Sequence, residues 1–227
     1  MINLKLGKYL ILSLAIALLL IGQSFSEMKS RAIAPPNLQS QVPDDASLVD
    51  IQTINPNIVL DIRYATTNNF LEQQLYPVAK CALRKEVAEQ LSQVQNDLEK
   101  IDLGLKVFDC YRPLSVTKKM WEVLPDSRYV ANPERGSRHN RGAAVDVSLV
   151  DFKTGIELEM PTDYDDFSEK AWRTYEGNKP EVKENSDLLA SMMKKHSFEP
   201  LITEWWHFDF EGWEKYSILD VSLDNIP

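Results

Sequence analysis

The stretch AAVDVSL, residues 143–149, constrains the fold most, because it alternates apolar residues with small or charged ones. A period of two is typical of a β-strand whose two faces meet different surroundings. Asp146 lies on one face, where its small neighbours Ala144 and Ser148 leave space around the carboxylate. The other face is apolar and forms a candidate core surface of Val145, Val147 and Leu149. The strand is therefore expected to direct a carboxylate away from the core.

A histidine comes seven positions before this aspartate. His139 lies in the loop SRHNRG, whose Gly142 permits a backbone turn that brings the imidazole back beside Asp146. A helix would also align the two residues, since seven positions make about two turns, but the β-branched residues favour a strand. Nitrogen and oxygen ligands suit zinc, and a catalytic zinc site takes a third protein ligand.

The motif EWWHFDF, residues 204–210, offers that third ligand in His207, with Glu204 three positions earlier. In a regular strand these two side chains point to opposite faces, so we expect the strand to begin after Glu204 or to carry a bulge there. The aromatic residues of the motif would exclude water from a site; they are Trp205, Trp206, Phe208 and Phe210. His196 ends a predicted helix, and we assign it no function.

Either motif alone could be ordinary hydrogen-bonded core structure. Two of the three histidines stand near carboxylates, and that conjunction favours a site.

The remaining patterns predict an α+β fold. Leu83, Val87, Leu91, Val94 and Leu98 give an amphipathic helix over residues 83–100. Strands are predicted at 57–66, 143–149 and 204–210, and residues 103–113 are predicted as a strand that runs out into a loop ending at Pro113. Helices are predicted after a Ser115 cap, from Ser168 and at 183–196. Because helices and strands do not strictly alternate, we expect a single domain. It has a central antiparallel or mixed sheet, helices packed against that sheet, and the zinc site at the sheet edge.

The N-terminus predicts export. Lys5 and Lys8 precede the apolar run YLILSLAIALLLIG, which is short for a membrane span and typical of a secretory signal. Residues 1–26 are thus a signal peptide or, if uncleaved, a membrane anchor, which would be the chain's only membrane contact. The polar, proline-containing residues 27–46 are a predicted tether, and 47–227 the domain. We expect the protein in the periplasm or cell envelope.

The net charge limits the classes of partner, and the two cysteines raise the question of a disulfide. A formal net charge of −9 argues against a nucleic-acid partner, which requires a basic face, and it leaves room for a small peptide. Cys81 and Cys110 could form one disulfide in an oxidising compartment or remain two buried thiols, and their spacing does not decide between these. The sequence indicates no oligomeric state.

The segments SRHNRGAAVD and EWWH resemble the S-x-H-x-x-G-x-A-x-D and E-x-x-H signatures of the zinc D-alanyl-D-alanine dipeptidases. This group includes the vancomycin-resistance dipeptidases and has the D,D-peptidase and Hedgehog-like fold. The resemblance extends over about residues 50–215, through DIRYATTNNF, DCYRP and MPTDYDDF. It implies a metallopeptidase with one zinc ion per chain that hydrolyses D-Ala-D-Ala, or a similar D,D-dipeptide, in cell-wall metabolism.

The resemblance also implies roles for single residues. Glu204 would be the general base, and Arg112 would bind the carbonyl oxygen as it becomes an oxyanion. Ser137 would contact the substrate carboxylate. The zinc ligands would be His139, Asp146 and His207.

Asp165, with Tyr64, would hold the substrate's free amino group; the adjacent Asp166 is the alternative in the alignment. Two other functions stay open. One is a D,D- or L,D-carboxypeptidase acting on longer wall peptides, which needs an open cleft where the amine pocket is expected. The other is a non-catalytic module that binds wall peptides or a metal. Another divalent ion could also replace zinc.

Overall fold

The computed structural model describes residues 47–227. The predicted signal peptide or anchor and the predicted tether lie outside this range. Within it, no helix combines the length and the apolar character that a membrane crossing needs.

A five-stranded mixed sheet forms the centre of the fold, in the order β2-β4-β5-β7-β6. Strand β2 runs parallel to β4, and every other neighbouring pair is antiparallel. The strands are β2 (Val59–Leu60), β4 (Leu103–Asp109), β5 (Ala144–Asp151), β6 (Phe198–Pro200) and β7 (His207–Phe210). The predicted α+β class with a central mixed sheet is confirmed.

A second, two-stranded sheet pairs β1 (Leu48–Asp50) with β3 (Ala82–Arg84) in antiparallel register. Leu83, predicted as the first apolar residue of a helix, belongs to β3 instead, because its segment pairs with β1. Cys81, just before β3, forms a disulfide with Cys110, just after β4. This bond joins the small sheet to the central one.

Between residues 47 and 227, four α-helices accompany the sheets: α1 (Ile51–Ile54), α2 (Lys85–Glu99), α3 (Leu114–Val123) and α4 (Pro180–Lys195). Helix α2 buries one apolar stripe, Val87, Leu91, Val94 and Leu98, and contacts both β4 and α4. Helix α4 begins with Pro180, whose fixed φ and missing N–H suit the first turn. Val145, Val147 and Leu149 are buried in the same core as the stripe of α2.

Two predicted boundaries were wrong. The strand predicted over residues 57–66 is only β2, because the chain leaves the sheet after Asp61 and turns through a 3₁₀ segment, Arg63–Ala65. Helix α3 begins at Leu114 with Pro113 at its N-cap, so Ser115 is not the cap. The Ser115 N–H donates instead to Asp220 Oδ1 at 2.7 Å.

The helix predicted from Ser168 is a single 3₁₀ turn, Glu169–Ala171, with Ser168 at its N-cap. His196 lies at the C-cap of α4, as its helix-end position predicted. Its Nε2 lies 2.9 Å from Asp97 Oδ2 on α2.

Candidate functional site

The predicted ligands meet where β4 ends and where β5 and β7 begin. Asp146 is the third residue of β5 and lies directly opposite His207, the first residue of β7. His139 precedes β5 in a 3₁₀ turn that ends at Gly142, whose φ of 66° is the left-handed conformation that glycine adopts without strain. The turn thus brings His139 back to Asp146, as predicted. All three side chains are buried.

Their donor atoms form a compact triangle. His139 Nε2 lies 3.2 Å from His207 Nδ1 and 3.4 Å from Asp146 Oδ1, and His207 Nδ1 lies 2.9 Å from Asp146 Oδ1. Metal–ligand bonds of about 2.0–2.1 Å in tetrahedral geometry separate ligand atoms by about 3.3–3.4 Å. Two imidazoles and one carboxylate at these spacings fit a zinc ion that keeps one open position.

Each candidate ligand also contacts a second group through the atom that does not face the triangle. His139 Nδ1 donates to the Cys110 carbonyl at 2.6 Å, which leaves Nε2 for the metal. His207 Nε2 contacts Asp209 Oδ1 at 2.9 Å, which leaves Nδ1. Tyr164 donates its hydroxyl to Asp146 Oδ2, also at 2.9 Å. Outer partners of this kind fix tautomers and orientations in metal sites.

Charge around the triangle favours a cation. Burial alone would lower the pKa of His207, but hydrogen bonds to Asp146 and Asp209 outweigh it and raise that pKa to about 10. Burial likewise opposes ionisation of Asp146, yet His139 and His207 hold its pKa far below the usual range. The triangle thus stabilises a positive charge. A metal ion would compete with the proton for the same ligand atoms.

Glu204 lies beside the triangle. Strand β7 begins only at His207, and residues 204–206 form a turn, so the expected irregularity after Glu204 is confirmed. Glu204 Oε2 lies 3.9 Å from His207 Nδ1. Burial raises the pKa of Glu204, and the nearby Asp146 adds to the effect although His207 opposes it. A raised carboxyl pKa suits a group that takes up and releases a proton near neutral pH.

Arg112 is buried at the same end of the sheet and is held by Asp109. Asp109 Oδ2 accepts from Arg112 Nε at 3.0 Å and from Nη2 at 2.6 Å. The guanidinium carbon lies 5.0 Å from the centre of the Tyr64 ring. The Arg112 guanidinium is therefore fixed in a single orientation, with Nη1 not engaged by Asp109.

A β-bulge in β4 determines which face of the sheet Asp109 points to. Val107 pairs with Val147, but Asp109 pairs with Asp146, so β4 carries one extra residue at Phe108. In a regular strand, Asp109 would share the core face of Val107, which lies two positions earlier. The bulge moves the Asp109 carboxylate to the face of Asp146, where Tyr76 also donates to Oδ1 at 2.7 Å.

Asp165 and Tyr64 meet as predicted. The Tyr64 hydroxyl lies 3.2 and 3.1 Å from the two Asp165 oxygens. Asp165 has a φ of 63°, an uncommon conformation outside glycine that tends to occur at functional sites. Burial and the charge of Asp146 raise the pKa of Asp165 well above its usual value. Asp166 points elsewhere and accepts from the Ser168 N–H at 2.8 Å.

One cavity of about 170 Å³ joins these groups. Its lining includes the zinc-site triangle, Glu204, Arg112, Ser137, Asp165 and Tyr64. Within the aromatic motif only Trp206 lines the cavity, so the predicted wall of four aromatic residues was wrong. The cavity's other aromatic residues come from distant segments: Tyr64, Phe70, Tyr129, Tyr164 and Phe167.

Four supporting residues were missed from the sequence: Tyr76, Asp109, Tyr164 and Asp209. Asp209 carried a signal, because in HFDF it shares the strand face of His207. For Asp109 and Tyr164, the only signal in the sequence is that they lie close along the chain to Arg112 and Asp165.

Known proteins resemble this chain over most of its length. Residues 44–217 match the family model Peptidase_M15, D-Ala-D-Ala dipeptidase. The D-alanyl-D-alanine dipeptidase of Escherichia coli is 30% identical over 176 residues, covering 78% of this chain and 91% of the relative. That of Enterococcus faecalis is 28% identical over 168 residues, covering 65% of this chain and 83% of the relative.

Two solved structures are more distant. The LdcB LD-carboxypeptidase superposes with a TM-score of 0.39 at 20% identity, over 59% of this chain and 61% of its own. A mutant of the vancomycin-resistance D,D-pentapeptidase VanY in complex with Zn(II) gives 0.38 at 14%, over 61% and 78%.

Proposed function

This chain belongs to the D-Ala-D-Ala dipeptidase family, and from that premise we propose that it hydrolyses D-Ala-D-Ala, or a similar D,D-dipeptide, to free amino acids. Family membership makes it a zinc-dependent hydrolase of peptides related to peptidoglycan. The finer proposal concerns substrate length, and the observation that carries it is the buried pair of Asp165 and Tyr64.

This pair supports a dipeptide because it places a buried carboxyl group in the lining of the cavity. Aromatic rings of the cavity lining pack beside Tyr64: Phe70 lies 6.3 Å from Tyr64 and 5.3 Å from Phe167, centre to centre. A free ammonium group of the substrate would favour the ionised form of Asp165, whose pKa is otherwise raised by burial. A longer peptide would instead place a neutral amide against the carboxylate and lose the charge pairing, which is costly in a buried site.

His139, Asp146 and His207 would hold the zinc ion, which would supply a Lewis acid that makes water nucleophilic near neutral pH. Glu204 accepts the proton of the attacking water and delivers it to the leaving amine. Its position beside the triangle and its raised pKa support both steps.

Arg112 stabilises the negative charge that develops on the substrate carbonyl oxygen. Because Asp109 fixes two of its nitrogens, the guanidinium needs little reorganisation when this charge appears. At the other end of the substrate, Ser137 contacts the carboxylate. Asn140 orients Ser137 through two hydrogen bonds. The Ser137 N–H donates to Asn140 Oδ1 at 2.7 Å, and the Asn140 N–H donates to Ser137 Oγ at 3.2 Å.

We also propose that the enzyme works outside the cytoplasm. Two features support export: the apolar run after Lys5 and Lys8, and the Cys81–Cys110 disulfide, a bond that is typical of oxidising compartments and rare in the cytosol. Fractionation of cells that express the full chain tests this. Recovery in the cytoplasmic fraction with both thiols reduced would contradict it.

The activity is tested by alanine release from D-Ala-D-Ala and from N-acetyl-D-Ala-D-Ala, with zinc-loaded protein. The proposal expects cleavage of the free dipeptide only, and loss of that cleavage in Glu204→Ala. Glu211→Ala, which changes an exposed glutamate after β7, is the matched control and should remain active.

Other outcomes have defined meanings. Efficient cleavage of the acetylated peptide would indicate a carboxypeptidase. Cleavage of neither peptide, with zinc bound, would indicate a binding module.

A further inference from the structure

Asp146 uses its two carboxylate oxygens for different purposes. Oδ1 faces both histidines of the triangle, 3.4 Å from His139 and 2.9 Å from His207. Oδ2 accepts the hydroxyl of Tyr164 at 2.9 Å. The carboxylate is buried, so an Oδ2 without a hydrogen-bond partner would be destabilising.

Tyr164 is fixed by its ring. The ring stacks on Phe108 with centres 4.7 Å apart and an interplanar angle of 26°, and it meets the edges of Trp206 and Tyr64 at 5.4 and 6.3 Å. Three aromatic neighbours leave the side chain little freedom to rotate. The phenol oxygen is consequently held at one place beside Asp146.

The single phenol proton of Tyr164 has two candidate acceptors. The Tyr64 oxygen lies 3.4 Å away, while Asp146 Oδ2 is nearer at 2.9 Å and carries negative charge. Charged acceptors form the shorter and stronger hydrogen bonds. The proton therefore goes to Asp146, and the Tyr64 proton is available to Asp165.

We propose that Tyr164 is a positioning residue of the metal site, whose hydroxyl holds Asp146 Oδ2 so that Oδ1 alone faces the metal. Without this bond the carboxylate can turn about its last torsion and offer either oxygen or both. The zinc site would then lose one fixed ligand direction. This inference rests on the zinc site of the proposed function but not on dipeptide hydrolysis.

The test compares zinc affinity in the full chain and in two variants by competition with a zinc-binding dye. Tyr164→Phe removes the hydroxyl and keeps the ring packing. Tyr216→Phe is the matched control, because Tyr216 is also buried and also donates to a carboxylate, Glu86, at 2.7 Å. Loss of an outer partner of a metal ligand typically weakens metal binding about 10- to 100-fold.

The expected result is that zinc binds about 10- to 100-fold more weakly to Tyr164→Phe and within about twofold of wild type to Tyr216→Phe. Equal zinc affinity in Tyr164→Phe and wild type would overturn the proposal. An equal loss in both variants would also overturn it, because the effect would then be general destabilisation.

A second readout does not depend on affinity or activity. The absorption bands of Co(II) bound in place of zinc report ligand number and geometry. They are expected to shift in Tyr164→Phe and not in Tyr216→Phe, at saturating Co(II). An unchanged Tyr164→Phe spectrum would contradict the positioning role even if the dipeptidase proposal held.

Discussion

Asp165 and Asp166 are adjacent and chemically identical, yet only Asp165 meets Tyr64 inside the cavity. We expect Asp165→Asn to raise KM for D-Ala-D-Ala about 10- to 100-fold, the worth of a charged hydrogen bond, with a smaller change in kcat. Asp166→Asn is the control and should keep the wild-type KM. Steady-state kinetics of both variants measure this, and a larger KM effect at Asp166 would reverse the assignment.

Arg112 donates from Nε and Nη2 of its guanidinium to Asp109 Oδ2, and in the proposed reaction Nη1 would bind the substrate oxygen. Lysine keeps the charge but cannot bond Asp109 and a substrate oxygen in the same fixed geometry. We expect Arg112→Lys to lower kcat/KM by about 100-fold or more. The zinc content of the variant, measured in parallel, should stay at one ion per chain. Wild-type kcat/KM in the variant would remove Arg112 from the reaction.

At the scale of elements, the Cys81–Cys110 disulfide joins two sheets across a separation of 29 residues. Closing a loop of this length stabilises a fold by about 3–4 kcal/mol through the unfolded chain. At about 2–4 °C per kcal/mol, we expect the double variant Cys81→Ala, Cys110→Ala to melt roughly 6–16 °C below wild type. A reductant should lower the Tm of wild type in the same way and leave the double variant unchanged. An unchanged Tm in the double variant would show that the bond adds no stability.

Helices α2 and α4 are joined through Asp97, which contacts Lys195 at 2.6 Å and His196 at 2.9 Å. Hydrogen bonds from Lys100, Lys195 and His196 lower the pKa of Asp97 well below its usual value. A depressed carboxyl pKa adds stability above the unfolded value of about 3.9, and this stability is lost as pH falls toward the folded pKa.

We therefore expect Asp97→Asn to have a slightly lower Tm than wild type at pH 7, and the difference to shrink below about pH 4. Thermal melts of both proteins from pH 7 to pH 3 measure the difference. A Tm difference between the two proteins that grows as the pH falls would contradict the prediction.

Elements were predictable from the sequence where periodicity is long and local. The apolar stripe of α2 and the alternation of β5 gave both elements within a few residues. Boundaries set by distant pairing were not predictable. Leu83 fits the helical spacing of α2, but it pairs with Val49 of β1, 34 residues earlier. The bulge at Phe108 has no local signature, and it decides which face Asp109 joins.

On the scale of the whole molecule, the three candidate ligands were predictable because each stands in a compact motif. Two of their three outer partners were not, because Tyr164 and the Cys110 carbonyl come from other parts of the chain and meet the ligands only in the folded protein. Tyr64 and Asp165 are 101 residues apart in the sequence, so their contact was also not predictable from local patterns. Only the family resemblance had paired these two residues.

The metal site joins three segments on the side of β5 opposite its apolar face, while the core of Val145, Val147 and Leu149 packs with α2. Because this core does not use the ligands, we expect chelator-treated protein to stay folded. Zinc should then add stability by mass action, about 2.7 kcal/mol at 100 times Kd. That corresponds to a rise in Tm of roughly 5–11 °C. Thermal melts over a series of free zinc concentrations measure it, with His139→Ala as the variant whose Tm should not respond. Loss of secondary structure on chelation would instead make zinc part of the folding unit.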